Sequence, residues 1–287
     1  MRFRPYRSLR DRLVLAGEAA AAAAEAEAGI ELPPDSRAAA FFDLDNTVLQ
    51  GASLFYLARG MYSRKFLRAR DVARFGYQQL RFRLGAEDPE HVDGARSAAL
   101  SFIVHRSVAD LKQMGEEIFE ETMADKIWPG TQAIARMHLD QGQRVWLVTA
   151  APVEIATIIA KRLGLTGALG TVAEHADGIY TGRLVGDLLH GPAKAEAVRA
   201  LAAREDLELE HCSAYSDSAN DIPMLSLVGH PCAINPDAKL RAHAKERGWR
   251  IRDYRGRRRN TAIGVAAGAG AVGGALGGLA LARRRRP

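Results

Sequence analysis

Ala39-Ala40-Phe41-Phe42-Asp43-Leu44-Asp45-Asn46-Thr47-Val48-Leu49 is the stretch on which the fold turns. An apolar run too short for a helix drives into two carboxylates one residue apart, followed at once by a small hydroxyl. Alternate residues of a strand share a face, so Asp43 and Asp45, just past its end, can converge on one point with Thr47 behind them. Carboxylates this close repel unless a cation lies between them or one holds a proton. Carboxylate and backbone oxygens are the ligands Mg²⁺ prefers. A buried strand ending in an Asp-rich turn would use the same residues, so the rest of the chain has to choose.

A chain of 287 residues can bury a sizeable core, as one large domain or as a core with an insert. Its only cysteines, Cys212 and Cys232, form no CxxC and show no His/Cys ligand spacing. That argues against a disulfide frame or zinc site and for a reducing compartment, with both thiols packed in the core. The net charge of +6 is unevenly spread: the first dozen residues carry +4 and residues 250–287 carry +9, leaving about −7 on the body. Basicity therefore belongs to the tails. No basic groove with interleaved aromatics crosses the body, and no nucleic-acid partner is expected.

Residues 1–35 form an appendage, with a basic start carrying Phe3, Tyr6, Leu9 and Leu13, then an Ala/Glu tract of high helix propensity and Pro33-Pro34. Glu18, Glu25 and Glu27 spoil any secretory apolar region. The basic start suits either a solvated tail or contact with anionic membrane. Residues 36–51 and 129–254 read as the core, interrupted by a helical insert over 52–128. Its helices are expected over Leu67–Phe82, Glu90–Ile103 and Val108–Ile127, before Trp128-Pro129-Gly130 breaks the chain and Thr131–Leu139 starts another. An insert directly after a candidate catalytic strand reads as a lid, or as a helical subdomain with no gating role.

Beyond it strands and helices alternate. Arg144–Val148 is an apolar strand ending in Thr149, and a helix covers Val153–Leu163. Gly178–Leu184 reads as a hairpin, and Pro192–Ala203 as a helix with Lys194 near its start. Ser213-Ala214-Tyr215 leads into Ser216-Asp217-Ser218-Ala219-Asn220-Asp221, with a helix over Ile222–Val228. Pro231–Ile234 is a further strand, Lys239–Arg247 a helix, and Trp249-Arg250-Ile251 the last strand. This alternation predicts an α/β fold with a doubly wound, Rossmann-like parallel sheet. Such sheets bind ligands beyond the carboxyl ends of their strands, where Asp43, Asp45, Thr149, Asp217 and Asp221 all fall.

Asp43-Leu44-Asp45-Asn46-Thr47, Thr149, Lys194 and Asp217-Ser218-Ala219-Asn220-Asp221 stand in the order of the four motifs of the haloacid-dehalogenase (HAD) superfamily. The insert resembles its C1-type cap. The stretch Asp217–Leu225 is similar to the phosphoserine-phosphatase-like (SerB) branch, subfamily IB, and the resemblance covers residues 38–254. It implies a Mg²⁺-dependent phosphomonoester hydrolase acting through an aspartyl-phosphate. Asp43 would be the nucleophile and Asp45 the acid/base. Thr149 and Lys194 would bind the phosphoryl group. Asp43, the Asp45 backbone carbonyl and Asp217 would hold the metal, with Asp221 nearby through water, while Thr47 and Asn220 would orient the loops. In the phosphoserine phosphatases a glutamate shortly after the first motif binds the substrate ammonium, whereas Leu49–Leu54 here holds no acidic residue. A site lacking that partner should reject a buried ammonium. The substrate expected is therefore a small organic or lipid-derived phosphate other than phosphoserine; Arg59, Arg64 or Arg96 could read a second anionic group, although each alone is better read as part of a solvated face. Loss of a motif aspartate would favour a membrane-associated regulatory or interaction protein, and all four are present. A phosphotransferase with an acceptor other than water uses the same residues.

Residues 255–287 form a basic tail in which uncharged, Gly-rich residues 261–282 have the length of a membrane span. Gly264/Gly268, Gly270/Gly274 and Gly274/Gly278 suit helix pairing in lipid. The scarcity of large apolar residues equally suits a free tail or a basic patch touching anionic lipid. The expected location is cytoplasmic, in solution or at the inner face of the membrane.

Overall fold

The computed structural model describes residues 37–66 and 104–255. The opening strand, β1 (Ala39–Phe42), is buried on both faces: Ala40 and Phe42 enter one apolar cluster, Ala39 and Phe41 the other. Such two-sided burial needs layers above and below the sheet. Helices α1 (Ser53–Ser63), α2 (Val108–Ile118), α3 (Pro129–Asp140) and α4 (Val153–Leu163) supply the first. Helices α5 (Pro192–Glu205), α6 (Ile222–Leu225) and α7 (Ala238–Glu246) supply the second.

The main sheet also contains β2 (Arg144–Pro152), β3 (Gly167–Thr171), β6 (Ser213–Ser216), β7 (His230–Ile234) and β8 (Arg250–Arg252). All six strands run parallel in the order β3-β2-β1-β6-β7-β8. The chain winds outward in one direction from β1 through β2 to β3, and in the other from β6 to β8. The reversal beside β1 opens a crevice at the carboxyl ends. Strands β4 (Ala173–Ala176) and β5 (Ile179–Leu184) make a separate antiparallel hairpin.

The doubly wound core is thus as expected, with local differences. Strand β3 is not among the expected elements, and the expected hairpin is the second strand of one that begins at Ala173. The helix expected to reach Ile127 keeps α geometry only to Ile118, then widens over Phe119–Met123 and tightens over Ala124–Lys126. The helix expected over Ile222–Val228 stops at Leu225. The helices expected over Leu67–Phe82 and Glu90–Ile103, and the segment 261–282, lie outside the described residues; among those described, no helix is long and apolar enough to cross a membrane. Cys212 and Cys232 are buried free thiols in opposite apolar clusters.

The described parts of the insert are joined to the core in two ways. Gly115 of α2 lies so close to α4 that a Cβ there would stand 2.6 Å from Ile155. The segment entering α2 adds to the hairpin edge through backbone bonds, His105 N–H to Tyr180 O (3.0 Å), Tyr180 N–H to Arg106 O (2.9 Å) and Val108 N–H to Gly178 O (2.8 Å).

Candidate active site

Asp43 leaves the end of β1 with its backbone N–H donating to the Tyr215 carbonyl of β6 at 2.9 Å, so the neighbouring strand fixes where its side chain starts. Its carboxylate is 6% exposed and accepts from Lys194 Nζ at 2.6 Å. Lys194, in the first turn of α5 and 4% exposed, donates equally closely to Asp221 Oδ2 at 2.7 Å. That same oxygen accepts from the Ser216 hydroxyl at 2.7 Å. Residues 151 and 27 positions from Lys194 in sequence are thereby drawn onto one ammonium.

One ammonium does not neutralise this cluster. Burial raises Asp43 to about 7; Lys194 opposes the rise, and Asp221 and Asp45 add to it. Burial likewise raises Asp217 to about 8, with Asp43 and Asp221 adding to it. For Lys194 burial acts downward, but the carboxylates of Asp221 and Asp43 act more strongly and raise it. Four aspartates against one lysine leave the crevice electron-rich and rich in oxygen ligands. Among the described residues no three His, Cys, Asp or Glu side chains form a closed metal cage. Mg²⁺ does not require one: it retains several waters and takes one or two carboxylates, so this donor set fits it.

Asp45 sits at the mouth of the crevice, its Oδ1 accepting from Ser53 N–H at 2.8 Å in the first turn of α1. Thr149 is 2% exposed and lies where the pairing of β2 with β3 shifts register, before the strand ends rather than at its last residue. Its Oγ1 accepts from Ala151 N–H at 3.1 Å, which leaves the hydroxyl hydrogen free to donate. Thr47 stays behind the carboxylates, its carbonyl accepting from Thr131 Oγ1 at 2.7 Å, while its own buried hydroxyl finds no partner among the described residues. Asn220 lies in the tight turn Ala219–Asp221, its N–H donating to Ser218 Oγ at 3.2 Å. Arg64 turns to Glu117 and Glu121 instead of the crevice, Arg59 is exposed, and Arg96 lies outside the described residues.

Three supporting residues escape a motif reading. Ser216 bonds Asp221, as above. Asp237 caps α7 through Leu240 N–H (2.7 Å) and also accepts from Ala219 N–H (2.8 Å), while its own N–H donates to the Asp217 carbonyl (2.8 Å). Fully buried Asn235 donates from Nδ2 to the Asn46 carbonyl at 3.2 Å and accepts from Tyr254 N–H at 2.7 Å. Asn235-Pro236-Asp237 before an apolar-periodic run is a helix-start signal, and it alone pointed here.

Residues 40–226 match the model of the haloacid dehalogenase-like hydrolases. The chain belongs to this hydrolase family. It is 58% identical over 257 residues to phosphoserine phosphatase SerB1 of Mycobacterium tuberculosis, covering 88% of this chain and 83% of that one. It is 56% identical to the putative hydrolase ML2424 of Mycobacterium leprae, over 90% of this chain and 87% of the other. A crystal structure of a protein of unknown function from Bordetella pertussis Tohama I superposes with a TM-score of 0.68 at 29% identity, covering 76% of this chain and 99% of that chain. Membership of the family and the HAD core thus agree with the sequence reading, and family members generally use Mg²⁺ and an aspartyl-phosphate.

Proposed function

We propose that the chain hydrolyses a small organic or lipid-derived phosphomonoester, with Asp43 as nucleophile. The observation that carries this reading is the buried Asp43–Lys194–Asp221 arrangement at the switch point of the sheet, with Asp45 and Asp217 beside it. A phosphoryl group repels nucleophiles, so the protein must position it and neutralise its charge. An Asp43 oxygen attacks phosphorus as the ester P–O bond breaks. Asp45, held by Ser53 N–H, gives its proton to the departing alkoxide. Asp45 then takes a proton from water, whose oxygen attacks the same phosphorus. The acyl-phosphate P–O bond breaks, freeing inorganic phosphate and returning Asp43. Lys194 and the Thr149 hydroxyl donate to the phosphoryl oxygens as charge develops. Asp43, Asp217 and the Asp45 carbonyl would hold Mg²⁺, with Asp221 through water, and the bound ion would supply further positive charge facing the phosphoryl oxygens.

Residues 36–51 and 129–254 serve in this reading as the catalytic core and 52–128 as the cap. Serine phosphate is not the favoured substrate, although a relative carries the name phosphoserine phosphatase, because Leu49–Leu54 offers no carboxylate to an ammonium. The test is turnover of p-nitrophenyl phosphate, phosphoserine, sugar phosphates and lysophosphatidic acid with and without Mg²⁺. Metal-dependent hydrolysis that Asp43→Asn abolishes supports the mechanism. Phosphoserine as the best substrate would overturn the specificity, and no hydrolysis of any compound would overturn the reading.

A further inference from the structure

The opposite end of the same strands carries a second concavity of about 370 Å³, within the lower range of small-ligand pockets. Ser213, His230 and Arg250, the first residues of β6, β7 and β8, form its edge with Arg247 from the turn before β8. Tyr215 and Cys232, paired across β6 and β7, lie on its floor, and Trp249 and Pro231 add apolar wall.

Its charge sets it apart. Here two arginines and a histidine share one concave space, and none of the described residues lining it is acidic. Arg247 and His230 form no ion pair among the described residues.

The floor is rigid and hydrogen-bonded from beneath. Gln143 Oε1 takes the Nδ1 proton of His138 at 2.5 Å, which leaves Nε2 to accept the Tyr215 hydroxyl at 2.7 Å. The buried Ser213 hydroxyl beside it is bonded to the Tyr215 side chain and stiffens the floor further. Guanidinium groups and an imidazole N–H beside an apolar wall form the donor set of an oxyanion on a compact stem.

We propose that this cavity is a second anion site, remote from the carboxylate cluster, that takes a small phosphate or carboxylate compound. The proposal is independent of the catalytic reading. Trp249 provides the probe: its indole N–H resonance, assigned by Trp249→Phe, is followed in the ¹⁵N-labelled full chain while inorganic phosphate, pyrophosphate, succinate or citrate is added. At least one should shift that resonance saturably below about 10 mM. The phosphates and the carboxylates then identify which source the site prefers. Arg247→Gln with Arg250→Gln should weaken binding at least about tenfold, with the remaining amide spectrum unchanged and hydrolysis without added anion within about twofold of wild type. Absence of saturation with all four compounds overturns the proposal. So does a saturable shift that the double variant leaves unchanged, since the anion would then be acting from the catalytic crevice.

Discussion

Strand β6 runs into Asp217, within a crevice of four aspartates and one lysine, and begins in Ser213, at a cavity with two arginines and no acid among its described lining residues. The two ends carry charge of opposite sign and hold it differently. At the carboxyl end burial is deep, and the carboxylates of Asp43 and Asp217 rise towards neutrality because one ammonium serves several of them. At the amino end Arg247 and Arg250 are exposed, and charge held in water costs little. This sheet therefore holds its buried carboxylates at one end and its exposed arginines at the other.

The contrast can be broken most decisively at Asp43. Replacing it with asparagine should lower Mg²⁺-dependent turnover at least about a thousandfold, with the circular dichroism spectrum unchanged. Lys194→Met comes next. It leaves two buried carboxylates without their shared cation, and turnover should fall about a hundredfold or more. Urea unfolding near neutral pH, without added metal, should show a loss of roughly 3 kcal/mol. A variant as stable and active as wild type would remove the ammonium from any account of the crevice.

Between the two ends stands His138, which burial pushes down to about 4 from its ordinary value near 6.5. The unfolded chain binds a proton between those values and the folded one does not. The contribution is thus fully present above about pH 6.5 and is lost as the pH falls towards 4, by up to about 3 kcal/mol. Urea midpoints measured from pH 7 to pH 4 should fall less steeply in His138→Gln than in wild type. The smallest expected effect is on the basic side: Arg247→Gln alone should change hydrolysis without added anion by less than about twofold. A tenfold change would mean that the two ends are not separate.

Much of the site was legible because its residues lie in short runs at strand ends, where alternation and spacing place them without knowledge of the packing. Asp43, Asp217 and Asp221 needed only a strand before them, and the alternating pattern supplied it. Strand β3 was not legible for the opposite reason. Gly167-Ala168-Leu169-Gly170-Thr171 has little strand propensity, and its glycines answer to neighbours: a Cβ at Gly167 would stand 2.5 Å from the Trp146 ring, and one at Gly170 would stand 2.6 Å from Val153 Cα. The Asn235 bond to the Asn46 carbonyl likewise depends on a partner far along the chain. Arg64 shows the same limit, since its carboxylate partners lie 53 and 57 residues away.

The seam between the hairpin and the segment entering α2 consists of backbone hydrogen bonds from His105, Tyr180 and Val108. Main-chain groups are common to nearly all residues, so this seam constrains shape while leaving side-chain identity free. In evolutionary terms it is a joint that survives drift. Successive substitutions can change the side chains on either side of it without unfastening it, and proline, which removes the N–H, is the replacement the joint excludes at those three positions.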